Sequence, residues 1–158
     1  MLKKMLLTEL SSVEEFFNRS TSTLKEEDSS FSPQEGMLSV SHQVAHAAQS
    51  IDWFVDGMTN PEGFDMNFEV HWKDVLPCTS LTEARAWFKK AITRAKETVE
   101  RMEEAELQEP LPEGLVMGGA PKMSVIGGIS DHTAHHRGAL TVYARLLGHE
   151  PKMPYMDV

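Results

Sequence analysis

Four stretches of helical periodicity, the Gly- and Pro-rich segments between them, and the lack of any long alternating run predict an all-α protein. The architecture is a four-helix bundle with long connecting loops. At 158 residues the chain suits a single domain, 1–158, able to bury one substantial core. The 41% hydrophobic and 25% charged residues are ordinary for a globular chain in water.

The first helix runs from residue 5 to about 28, with Leu6, Leu7, Leu10, Val13, Phe17 and Leu24 at helical spacing and no Gly or Pro between them. Ser29 to Gly36 reads as a connection. The second helix covers residues 38–58 and ends before Asn60-Pro61. It carries Val44, Ala47, Ile51 and Val55 on one face. His42, His46 and Trp53 lie nearly opposite. Both faces therefore want company, one in the bundle and one in a site or a second subunit.

Residues 59–79, with Pro61, Gly63, Pro77 and the aromatics Phe64, Phe68 and Trp72, form a long crossing loop with a short turn of helix. A connection of this length packs on something or covers a site. Ser80-Leu-Thr-Glu83 is a capping-box pattern, and it opens a third helix to about Leu107. Pro110, Pro112, Gly114, Gly118-Gly119 and Pro121 mark a second long loop, 108–123. The fourth helix extends from about Ser124 to Leu147, where Gly148 and Pro151 stop it. The tail from Pro151 to Val158 is extended.

The totals exclude several functions. A net charge of −9 without any basic run argues against nucleic acid. The single cysteine, Cys78, allows no intrachain disulfide and no Cys-rich zinc site, which suits a reducing compartment. No segment has the length of a membrane span, and the apolar run Met5 to Leu7 is too short for a signal peptide. These features point to a cytoplasmic protein.

The chemistry concentrates in Asp131-His-Thr-Ala-His-His-Arg-Gly-Ala-Leu140. His132 and His136 are one helical turn apart, on a stripe continued by Ile129, Leu140, Tyr143 and Leu147. Imidazoles on an inward stripe need partners, and a metal ion is one such partner. The plain alternative is that the pair hydrogen-bonds to neighbours and fills space. His42 or His46 offers a third ligand, and three protein ligands with one open position are the arrangement of a catalytic metal. Zinc, nickel, iron and copper all suit nitrogen donors. Asp131 and nearby Glu or Gln side chains are candidates to orient the imidazoles. His135 points about 100° away from the ligand face, and His71 belongs to the crossing loop. His149 sits favourably at a helix C-terminus. Tyr143 either joins the site or packs. A thermolysin-like motif, a Glu-x-x-His pair and a phosphate loop are all missing.

The run from Asp131 to Leu140, followed by Thr-Val-Tyr-Ala-Arg-Leu-Leu-Gly148, resembles the last helix of the DinB/YfiT-like superfamily. That helix shows a His-x2-His-His-Arg-Gly-Gln-Leu pattern ahead of Arg-Leu-Leu-Gly. Val44-Ala-His46-Ala-Ala-Gln-Ser-Ile-Asp-Trp-Phe54 resembles the family's first ligand helix. Ala139 departs from the family's Gln. The resemblance covers residues 5 to 155. It implies a four-helix bundle with a divalent metal (zinc, nickel or iron) held by His46, His132 and His136, with His42 as the alternative first ligand. It further implies a homodimer and a thiol-dependent S-transferase type of activity. The partners would be a low-molecular-weight thiol and a small electrophile, walled by Phe64, Phe68, Trp72 and Met117. A metal-dependent hydrolase and a non-catalytic metal-binding bundle are the rival readings.

Overall fold

The computed structural model describes residues 1–157, so the expected extension of the tail to Val158 falls outside the described residues at its last position. Four long helices, α1 (Leu2–Thr21), α2 (Val40–Thr59), α4 (Leu81–Arg101) and α6 (Ser124–Leu146), make the bundle. Two short ones, α3 (Phe68–Val75) and α5 (Glu104–Gln108), lie in the connections. Among the described residues there is no strand, and Pro110 and Pro121 form an isolated bridge. No described helix is long and apolar enough to cross a membrane.

Two expected helices are shorter than their periodicity suggested. The first stops at Thr21 instead of continuing to 28. There Ser and Thr hydroxyls compete for the helix carbonyls: Thr21 Oγ1 donates to Phe17 O at 2.9 Å and Ser22 Oγ to Arg19 O at 2.8 Å. The Arg85 guanidinium donates to Thr21 O at 2.6 Å and occupies the helix end. Leu24 is buried all the same, but it enters the core from a turn rather than from the helix. The helix from Ser80 breaks at Met102, whose backbone is extended. It restarts as α5 through a reciprocal cap in which Glu103 N–H donates to Glu106 Oε2 at 2.7 Å. The break lets Leu107 turn into the core, where it is fully buried.

Side-chain pairs give the helix directions. Lys3 Nζ donates to Glu100 O at 3.0 Å near one end of α1, and Arg85 meets Thr21 at the other, so α1 and α4 are antiparallel. Ser130 donates to Glu9 and Arg137 lies over the Phe16 ring, so α1 and α6 are parallel. Trp87 Nε1 donates to Asp52 and Arg94 pairs with Asp52 and Asp56, so α2 and α4 also run together. Gln43 meets Tyr143 while Phe54 lies against Gly128, so α2 and α6 are antiparallel.

The topology is therefore up, down, down, up. Two adjacent parallel helices require the chain to return the length of the bundle between them. For the 20 residues of α2 that length is about 30 Å. Residues 60–80 make this return, and α3 rides on α2 along the way. The core is built from facing apolar stripes, among them Leu10, Phe17, Val44, Ile51, Phe88, Ile92, Ile129 and Leu140. Each such side chain contributes about 1.5–3 kcal/mol on burial. Phe17 and Phe88 stack with centroids 4.2 Å apart.

At its C-terminus α6 closes on Gly148, at φ +80°, with Gly148 N–H donating to Arg145 O and His149 N–H to Ala144 O. His149 adds a contact beyond its place at the helix end, 2.9 Å from Asp28 Oδ2. Residues 151–157 of the tail form no helix or strand and lie against α1, with Tyr155 edge-on to Phe16.

The glycines of α6 differ in what their helix face meets. A Cβ on Gly128 would lie 2.7 Å from the Phe54 ring, whereas one on Gly127 would meet open space. Gly127→Ala is expected to stabilise the protein by about 0.5–1 kcal/mol. Gly128→Ala is expected to destabilise it by about 1–3 kcal/mol through overpacking. Thermal melts of the two variants check this, and equal shifts would show that α2 and α6 are not in close contact there.

Candidate metal centre

The site lies where α2 and α6 cross. Ser39 caps α2, with His42 N–H donating to its Oγ at 3.3 Å, and His46 lies one turn further along, facing α6. On α6, His132 and His136 lie one turn apart with their rings edge-to-face and their Nε2 atoms 3.1 Å from each other. The His46 ring stands edge-on to both, with centroids 5.3 Å from His132 and 4.9 Å from His136. One ring nitrogen from each of the three lies within 4.8 Å of the others.

Burial sets the charge state of these rings. His136 is 5% exposed, and desolvation together with the neighbouring imidazoles lowers its pKa to about 3. The same causes lower His46 to about 4. His132 is also lowered, mainly by burial, with Asp131 pulling weakly the other way. All three are therefore neutral at pH 7, the form that donates a lone pair to a metal.

The histidine set meets the requirements of a divalent ion. Two bare nitrogens at 3.1 Å can satisfy each other only if one carries a proton, whereas an ion shared by the three serves them all. His46 Nδ1 is buried and has no hydrogen-bond partner. No carboxylate hydrogen-bonds to any of the three rings among the described residues. The donor set is thus nitrogen-only, which suits borderline transition metals over calcium or magnesium.

The remaining candidates separate cleanly. His42 is turned away, its Nε2 3.1 Å from Leu76 O, so it pins the end of the crossing connection to α2. His71 sits 3.3 Å from Asp65 O within that connection. His135 is exposed, its centroid 5.0 Å from that of His136. Trp72 stacks on His46 at 4.8 Å and covers that imidazole face. Phe64 and Phe68 pack around Trp53 beside it. The second connection, with Met117, is tied instead to the start of α6, where Lys122 N–H donates to Glu109 O and Met123 N–H to Leu107 O. Cys78 is half-buried, its thiol pKa raised by burial and by Glu83, and it contacts Ser80.

The sequence did not single out Gln43. Its Oε1 is 2.5 Å from His136 Nδ1, and its Nε2 donates to Tyr143 Oη at 3.2 Å. The spacing of Gln43 and His46, three apart on α2, puts both on one side of that helix. The partner of Gln43, however, is on α6, and only the packing reveals it.

The profile of the DinB family matches residues 1–157. The chain belongs to the DinB family. Among solved structures, the fold is shared with a DinB-like protein of Bacillus cereus at 19% identity and a TM-score of 0.72, over 90% of this chain and 91% of that one. A mycothiol-dependent maleylpyruvate isomerase aligns at 14% identity and a TM-score of 0.74, over 87% of this chain and 60% of that one. YfiT from Bacillus subtilis, described as a probable metal-dependent hydrolase with an unusual four-helix bundle topology, aligns at 14% identity and a TM-score of 0.68. That match spans 94% of this chain and 89% of that one. No curated protein matches the sequence.

The neutral burial of these rings has a pH signature in metal-free protein. In the unfolded chain His46 and His136 bind a proton near pH 6.5, whereas in the fold they do so only near pH 4 and pH 3. The unfolded state binds more protons between those limits, so their contribution is complete above pH 6.5 and is lost as pH falls toward 3. Urea unfolding of chelator-treated protein between pH 7 and 4 is expected to show a steeper loss of stability for wild type than for His136→Leu. Parallel losses would show that the ring is solvated.

Proposed function

We propose that His46, His132 and His136 hold one divalent metal ion and that the protein is a metal-dependent enzyme acting on small molecules. The observation that carries this is the convergence of three neutral imidazoles, His136 buried and His46 and His132 half-buried, from two helices within 4.8 Å, with no carboxylate among them. Zinc, nickel and iron all suit the donor set. A divalent ion with three protein ligands keeps a position for an outside ligand and there favours the deprotonated, nucleophilic form of a thiol or of water.

The protein's own part is to hold the imidazoles and to exclude water from their faces. Gln43 orients His136, and Trp72 shields His46. Phe64, Phe68 and Trp72 give the site an apolar flank suited to the carbon skeleton of a small electrophile. A thiol-dependent transfer or isomerisation is the reading we favour, supported by the shared fold of the mycothiol-dependent isomerase. Hydrolysis by activated water is the second reading, supported by the description of YfiT. A single domain, a cytoplasmic setting and a homodimer belong to the same proposal, the last to be checked by sedimentation.

Elemental analysis of untagged protein is expected to find close to one zinc, nickel or iron per chain. His132→Ala and His136→Ala are each expected to weaken metal binding by more than the 10–100-fold that loss of an outer hydrogen-bond partner costs. Both are also expected to abolish turnover. Unchanged metal content in both variants would overturn the assignment. Withdrawal of the thiol cosubstrate stops the transferase and leaves the hydrolase running.

A further inference from the structure

The hydrogen bonds behind His136 form a chain whose direction is set at a backbone carbonyl. Leu38 lies just before the Ser39 cap, and its C=O can only accept. Tyr143 Oη is 3.0 Å from it, so the single hydroxyl proton of Tyr143 points there. The same oxygen then has only acceptor capacity left for its other neighbour, Gln43, at 3.2 Å. This places the Gln43 amide nitrogen toward Tyr143 and its carbonyl oxygen toward His136. An amide oxygen cannot donate, so His136 Nδ1, 2.5 Å away, carries the proton. The lone pair is left on Nε2, the nitrogen that faces His132.

Each link follows from counting donors and acceptors, and the three side chains that make the links are buried. Gln43 is 8% exposed, Tyr143 2% and His136 5%. The Tyr143 ring is held edge-on by Phe31, with centroids 6.0 Å apart. A flipped amide would place its NH2 on His136 Nδ1, move the ring proton to Nε2 and aim an N–H at the other two histidines. Tyr143 selects between these two states. Without its hydroxyl, the amide has no reason to prefer one orientation.

We propose that Tyr143 and Gln43 are positioning residues that transmit the polarity of the Leu38 carbonyl to His136 and lock it as the Nδ1–H tautomer, with Nε2 free to bind the metal. This rests on the metal assignment above only for its consequence. The tautomer itself is a property of the polypeptide.

Two measurements keep the parts separate. Long-range nitrogen–proton correlation spectra of metal-free protein at pH 7.5 report the tautomer of His136 whether or not a metal ever binds. Wild type is expected to show the Nδ1–H form, and Tyr143→Phe, which keeps the core volume, is expected to mix the two forms. Gln43→Leu is expected to lose the preference, and Gln43→Glu, which still accepts at Nδ1, to restore it. Zinc titration is then expected to show affinity falling about 10–100-fold in Gln43→Leu and recovering in Gln43→Glu. An Nε2–H tautomer in wild type, or an unaltered tautomer in Tyr143→Phe, would overturn the proposal. So would a switched tautomer in Gln43→Leu with unchanged zinc affinity. Absence of zinc binding in wild type would instead overturn the metal assignment and leave the tautomer lock standing.

Discussion

Imidazoles packed between α2 and α6 impose the constraint on which the rest depends. Each ring brings two nitrogens to a largely apolar helix crossing, where His136 is buried and His46 and His132 are half-buried, and an unpaired buried polar atom such as His46 Nδ1 is costly. The fold resolves part of this through Gln43 and Tyr143, which take one nitrogen of His136. Of the others, His132 Nε2 and His136 Nε2 can share only one proton between them, and His46 Nδ1 has no partner. A set of neutral nitrogen donors aimed at one point in an apolar wall is poorly explained by stability alone, because replacing the rings with packed hydrophobic side chains would remove the desolvation cost.

The bundle topology follows from the same crossing. Antiparallel α2 and α6 bring His46 level with His132 and His136. Parallel α2 and α4 then oblige residues 60–80 to run back along the bundle. That connection carries Trp72 onto His46, while Leu76 O is held by His42. A long loop that looks wasteful in a bundle thus becomes the cover of the site. The fold is shared with a mycothiol-dependent isomerase and with a protein described as a probable metal-dependent hydrolase, so the fold alone does not name a reaction.

Much of this was legible from residue spacing. The four long helices announced themselves because apolar residues at three- and four-residue steps have few other uses. The His132–His136 pair was legible for the same reason, since one turn separates the two rings along a single helix. The helix ends at Thr21 and Met102 were not. Leu24 and Leu107 continue the apolar pattern past both breaks, and the competing hydrogen bonds that end each helix involve Arg85 and Glu106, whose roles periodicity does not encode. The division between His42 and His46 was also closed to spacing alone. Both occupy one face of α2, and it is the position of α6 against that face that sends one to the site and the other to Leu76 O.

By itself, then, the sequence determined the all-α class, the number of bundle helices, the acidic surface and the helical pair of histidines, because each depends on interactions within about two turns of chain. The tertiary structure decided what spacing could not: that His46 rather than His42 lies beside His132 and His136, that Trp72 covers it and that Gln43 faces His136. Those contacts join residues far apart in the chain. Their partners are selected by how helices cross, and a crossing depends on every side chain in the interface at once.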